Sequence, residues 1–135
     1  MLDFKSAGGG AAGGIIGAPL GYIARDEVTD WDFEVGDFTK DDGWHDLDLS
    51  SIVPETAQVV VMRWDIGSSV VNRYIYLRQD GFTDVYANWY ARTWTTTVGH
   101  PFFPSMPIGP NGVIEYRAHP ANITLLNCTV LGWWI

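Results

Sequence analysis

The sequence predicts an all-β domain, an antiparallel β-sandwich of jelly-roll type preceded by a glycine-rich N-terminal arm. Three observations carry this. From residue 28 onward, short runs rich in Val, Ile, Tyr and Trp alternate apolar with polar residues, the period-two signature of half-buried strands. Turn-forming clusters separate the runs, with Asp41-Asp42-Gly43, Asp80-Gly81 and Asn111-Gly112 the clearest. No window long enough for a helix shows an apolar repeat near 3.6 residues. At 135 residues the chain has the length of one domain that can bury a core of its own.

The elements follow in order. Residues 6–21, SAGGGAAGGIIGAPLG, hold seven of the fifteen glycines, and backbone entropy disfavours helix and strand there. A flexible leader and an arm that orders against a neighbouring subunit are both open readings. Ile15, Ile16, Pro19, Leu20, Tyr22 and Ile23 are costly to leave in water, which favours the arm. The organisation expected is therefore an arm over 1–23 and a sandwich over 24–135. Trp31, Phe33 and Val35 alternate with acids and a glycine as a first strand. His45, Leu47 and Leu49 alternate with Trp44, Asp46 and Asp48 as a second. Beyond Pro54, residues 57–64 (AQVVVMRW) form a β-branched, central strand. Further strands fit 70–79, 84–98 (two strands, or one that bends), 113–118 and 122–135. The proline-rich stretch 99–110 is a loop or an edge segment. Seven to nine strands spaced by turns over about 110 residues make a sandwich or jelly roll.

Composition narrows the function. Aromatics are 14% of residues, with seven Trp, while charged residues are only 18%, below the usual quarter. Such a surface suggests aromatic area buried against something outside the chain. Residues 1–48 hold eleven of the sixteen acids and three of the eight bases, and 49–135 hold five of each. The net charge of −8 with no Lys/Arg cluster argues against nucleic acid. No apolar run is long enough for a membrane-spanning helix. Asp3, ahead of a glycine-built segment, does not suit a signal peptide. The single cysteine, Cys128, lies in an apolar stretch and reads as a buried, inert thiol.

Candidate chemistry is thin. The acids from Asp26 to Asp48 offer oxygen ligands for calcium, but they lack EF-hand spacing and read more simply as a solvated face. With so many carboxylates in one stretch, some pair will meet glycosidase spacing by chance. His45, His100 and His119 are widely spaced, two of them beside prolines. Ser50-Ser51 and Ser68-Ser69 fit no nucleophile motif. Asn122-Ile123-Thr124 and Asn127-Cys128-Thr129 match the glycosylation acceptor pattern and are read as strand and turn residues. Trp89, Trp94, Phe102 and Phe103 form a candidate sugar-stacking set, against subunit interface or core. Trp89 and Tyr90 are adjacent, so on a strand one of them must leave the core face. The apolar ending Leu131-Gly132-Trp133-Trp134-Ile135 suits a core or a symmetry axis.

The run Gly43-Trp44-His45-Asp46-Leu47-Asp48-Leu49-Ser50-Ser51-Ile52-Val53-Pro54 and the strand after it resemble a β-domain of tailed-bacteriophage tail-fibre and virion-associated structural proteins. The likeness continues through Tyr76–Gly81, Val113–Arg117 and Ile123–Trp134, covering about residues 40–135. It implies a non-enzymatic, homotrimeric or larger structural subunit at a virion or extracellular assembly surface, with no catalytic residue or cofactor to carry over. The short leader fits a capsid decoration protein, short spike, fibre head or filament subunit better than a whole fibre. The expected partners are identical subunits, other virion proteins and a weakly bound host glycan. On this reading Ile15, Ile16, Leu20, Tyr22, Ile23, Trp133 and Trp134 meet neighbouring subunits. The rivals are a carbohydrate-binding module and, more remotely, a jelly-roll enzyme.

Overall fold

The computed structural model describes residues 21–83 and 88–135. Among the described residues nine strands form: β1 (Tyr22–Ala24), β2 (Trp44–Asp48), β3 (Val59–Ser68), β4 (Tyr74–Gln79), β5 (Asn88–Arg92), β6 (His100–Phe102), β7 (Ser105–Pro107), β8 (Val113–Ala118) and β9 (Ile123–Trp134). All their pairings are antiparallel. One sheet runs β1-β9-β3-β6, with β7 also on β3, and the other runs β2-β8-β4-β5. Followed in sequence, the chain changes sheet at every connection except β4–β5 and β6–β7. That alternation is the double Greek-key winding of a jelly roll, with β6 and β7 as two halves of one edge strand. The break falls at Phe103-Pro104, and Pro101 and Pro107 lie within the halves. Proline cannot donate to a ladder, so it is tolerated on an edge, and the stretch 99–110 is accordingly the edge segment.

The core lies between the sheets. Trp64 on β3 is fully buried at its centre, stacked on Phe102 (6.2 Å, 28°) and packed against Phe38 (5.5 Å). Phe38 meets Tyr116 edge-on at 5.1 Å. The Tyr116 hydroxyl accepts from the Thr39 N–H (2.8 Å), so this buried phenol keeps its polar end satisfied. Leu47 and Leu49 are buried as the alternation in β2 requires. Cys128 is buried in the same core, and burial pushes its thiol well up.

Three strand expectations are corrected. Residues 28–36 make only one isolated bridge, Phe33 to Cys128. The Asp37 N–H donates to the Glu34 carbonyl, and the Glu34 N–H donates to the Asp37 carboxylate, both at 2.8 Å. These bonds close Val35–Asp37 into a 3₁₀ turn, an acid side chain competing with the ladder for backbone donors. In 70–79 the strand starts only at Tyr74, because Asn72 is left-handed (φ 64°). In 84–98, only Asn88–Arg92 is strand among the described residues. Asn111-Gly112 turns the chain from one sheet to the other and makes no hairpin; a side chain at Gly112 (φ +71°) would lie 2.8 Å from Ser50.

A β-bulge between Val61 and Met62 shifts the β3–β9 register at Gly132 and Val130, leaving Leu131 between them. The residues after β1 satisfy the freed backbone. The Arg25 N–H donates to the Leu131 carbonyl (3.0 Å) and the Arg25 guanidinium to that of Val130 (3.2 Å). The Asp32 carboxylate accepts from the Val130 N–H (2.8 Å), the Thr129 hydroxyl (3.0 Å) and Arg25 (2.5 Å). Burial alone would raise the Asp32 carboxyl, but the bonds from Arg25, Val130 and Thr129 outweigh it and hold it below the usual range.

Two tests follow from this corner. Asp32 lowered in the folded state stabilises fully above the unfolded carboxylate range, and that contribution vanishes as pH falls through the folded value. Asp32→Asn is therefore expected to cost about 2 kcal/mol at pH 7, with the gap to wild type closing below about pH 4; urea unfolding from pH 2.5 to 7 reads both. A methyl at Gly132 would collide with the Tyr22 hydroxyl and lie 2.5 Å from the Ile23 carbonyl. Gly132→Ala should cost about 1–3 kcal/mol by forcing β1 outward, and Tyr22→Ala in the same chain should relieve part of that loss.

Candidate functional site

The two outer faces of the sandwich differ in chemistry. On the β2-β8-β4-β5 sheet, register places Trp44, Arg117, Tyr76 and Tyr90 in one row across all four strands. Asp46, Glu115, Arg78 and Asn88 form the next row. Tyr76 and Tyr90 rings lie 4.9 Å apart, Tyr74 and Tyr76 5.2 Å, and Trp44 and Tyr76 6.5 Å. Guanidinium groups cover these rings: Arg78 over Trp44 (3.9 Å) and Arg117 over Tyr76 (5.7 Å), cation–π distances.

Most of this face is neutralised internally. Arg78 donates to Glu115 (2.7 Å), whose other oxygen accepts from the Gly81 N–H (2.8 Å). Arg117 grips Asp42 through Nε and Nη2 (2.8 and 3.1 Å), and the Tyr74 hydroxyl donates to the same carboxylate (2.5 Å). Those bonds, Arg117 first, hold the Asp42 carboxyl low, while burial and that carboxylate push the Tyr74 phenol up. Asp46, Asp80 and Glu115 bring carboxylate oxygens within 4.8 Å of one another, a donor set suited to a hard cation. Glu115 is already bonded to Arg78 and Gly81, and Asp80 accepts from the Asn111 amide (2.7 Å).

At the β5 edge the pattern changes. Tyr90, Arg92 and Trp94 lie on one side of the chain, with Arg92 6.0 Å from the Tyr90 ring and 5.1 Å from the Trp94 ring. Trp94 is 69% exposed. Its backbone is held by His100, whose Nε2 accepts from the Trp94 N–H (3.1 Å), with the Thr95 N–H at 3.4 Å. The His100 Nδ1 lies 3.2 Å from the Ile66 carbonyl, the pairing made by the tautomer with its hydrogen on Nδ1.

At one end of the other sheet's outer face, two rows of described residues carry no charged side chain. One row there is Tyr22, Trp134, Val59 and Pro107; the next is Ala24, Gly132, Val61 and Ser105. Tyr22 packs on Trp134 at 5.5 Å and is 42% exposed.

The residues singled out from sequence divide accordingly. Tyr22 and Trp134 lie together on the uncharged face. Ile23 and Trp133 share the inward row with Val60 and Met106, both fully buried. Ile15, Ile16 and Leu20 lie outside the described residues. The proposed stacking set does not form one surface. Trp89, opposite Leu77, and Phe102, stacked on Trp64, pack against the core. Phe103 is 60% exposed but sits over the first sheet, where Arg63 lies between it and Trp31. Of the four, Trp89 lies on β5 but faces the core, and Trp94 alone stands exposed at the β5 edge. Sequence reasoning missed Tyr74, Tyr76 and Arg92; alternation marks them as one face of their strands, and nothing local marks their cross-strand neighbours. Comparison with protein-family models, with curated proteins and with solved structures gave no match.

Proposed function

We propose that this chain is a non-enzymatic, self-assembling structural subunit of a virion or virion-like assembly, such as a capsid decoration protein, short spike, fibre head or filament unit. The observation that carries the assembly reading is the uncharged strip on the outer face of the first sheet. Eight residues in two adjacent rows carry no charge, Tyr22 and Trp134 among them, on a chain of net charge −8. Charge depletion with aromatic enrichment marks the centre of protein interfaces. A second copy is the natural occupant, since closed symmetry lets one patch serve every subunit. The residues that resemble virion-associated β-domains supply the virion part of the reading. Localisation on a virion or extracellular assembly surface, and contact with other virion proteins, belong to the same proposal.

Light scattering on the full-length protein, with negative-stain images of the same sample, tests this. The expected result is a trimer, larger ring or filament. Val59→Lys with Val61→Lys should shift the mass to one chain while far-UV circular dichroism is unchanged. A single-chain mass at concentrations up to about 0.5 mM would sink the proposal, as would an oligomer indifferent to both lysines.

A further inference from the structure

We infer that the β5 edge of the second sheet is a binding site for a carboxylate-bearing sugar residue, of the hexuronic or sialic acid kind. It stands apart from the assembly face, on the opposite side of the sandwich. The argument starts from charge. Arg25, Arg63, Arg78 and Arg117 each hold a carboxylate, at 2.5, 3.3, 2.7 and 2.8 Å. Arg73 donates to the Val71 carbonyl and the Asn122 amide oxygen. Among the described residues Arg92 holds neither an acid nor a hydrogen-bond acceptor, and its buried Nε has no partner. Its neighbours are the rings of Tyr90 and Trp94.

A guanidinium offers a planar fork of donors that fits a carboxylate bidentately. Leaving that fork unmatched beside two exposed rings, 45% and 69% accessible, is a poor use of the site by the chain alone. A pyranose carrying a carboxylate matches both parts. Its C–H face stacks on an exposed aromatic ring, while the acid group meets Arg92. Thr95 and Thr96, exposed beside Trp94, are within the same loop to bond ring hydroxyls. The platform is preset, because His100 fixes the Trp94 and Thr95 amides, which lowers the ordering cost of binding. Nucleic acid offers anions and rings too, but net charge −8 opposes a polyphosphate. An acidic peptide offers carboxylates without a flat apolar ring face.

The test uses matched probes: 3′-sialyllactose against lactose, and trigalacturonate against its methyl ester. Trp fluorescence and calorimetry on the full-length protein should show millimolar or tighter binding of at least one acid probe. Its neutral counterpart should bind about tenfold more weakly. Arg92→Gln should erase the difference between acid and neutral probes, and Trp94→Ala should abolish binding and the fluorescence change. Both variants are expected to keep the wild-type mass and melting temperature, so failure here leaves the assembly proposal untouched. No binding of either acid probe up to about 20 mM, equal binding of acid and neutral sugars, or an Arg92→Gln variant that still prefers acids would each overturn the inference. Tighter binding of oligoglutamate than of either acid sugar would overturn it in favour of an acidic peptide.

Discussion

The structure depends on the pairing of β3 with β9. These two strands lie some sixty positions apart in the chain, yet they pair along ten positions, from Val59 with Trp134 to Ser68 with Ile123. Their inward residues, Met62, Trp64 and Ile66 from β3 and Leu126, Cys128 and Val130 from β9, supply much of the buried core. The other three ladders of the first sheet hang on this pair: β1 on the free side of β9, β6 and β7 on the free side of β3. Contacts of such sequence separation must overcome loop-closure entropy before they contribute. The fold therefore rests on a pairing that local propensity does not provide.

The bulge in that pairing explains why the chain around Asp32 is placed as it is. A bulge bends a strand and frees backbone groups, and a buried group left unpaired costs about 1–3 kcal/mol. Arg25 and Asp32 supply the missing partners to Val130 and Leu131. That same pair ties down the ends of an excursion, residues 26–31, that interrupts the run from β1 to the Phe33 bridge. The acid-rich stretch thus contains carboxylates with structural tasks, Asp32 at the bulge, Asp37 in the 3₁₀ turn and Asp42 beneath Arg117, among others that face water.

How much of this was legible follows the distance over which each feature is decided. Strand β8 and the span of β9 were readable from alternation and β-branched residues, and the prolines narrowed 99–110 to a loop or an edge segment. The run from Trp31 to Val35 alternates as well as β2 does, but Asp37 offers the backbone a local partner and the ladder loses. Parity required that either Trp89 or Tyr90 leave the core. Only the register with β4, which sets Trp89 against Leu77 and Tyr90 against Tyr76, decides which. The isolation of Arg92 was invisible for the same reason, since it is defined by where the other arginines find their acids.

The tryptophan excess now carries a narrower meaning than composition gave it. Trp64 is fully buried, and Trp89 and Trp133 pack against the core. Trp31 and Trp44 lie beneath Arg63 and Arg78, whose alkyl stems and charged heads cover apolar area while staying wet. Trp134 packs on Tyr22. Six of the seven are thus occupied within the chain, so a Trp count alone does not argue for an outside partner. What does argue for one is the remainder. Trp94 stands 69% exposed on a loop whose amides His100 fixes, beside a guanidinium that holds no acid among the described residues. His100 fixes the backbone from which that indole projects, and a fixed attachment point separates it from an indole on a loop free to rearrange.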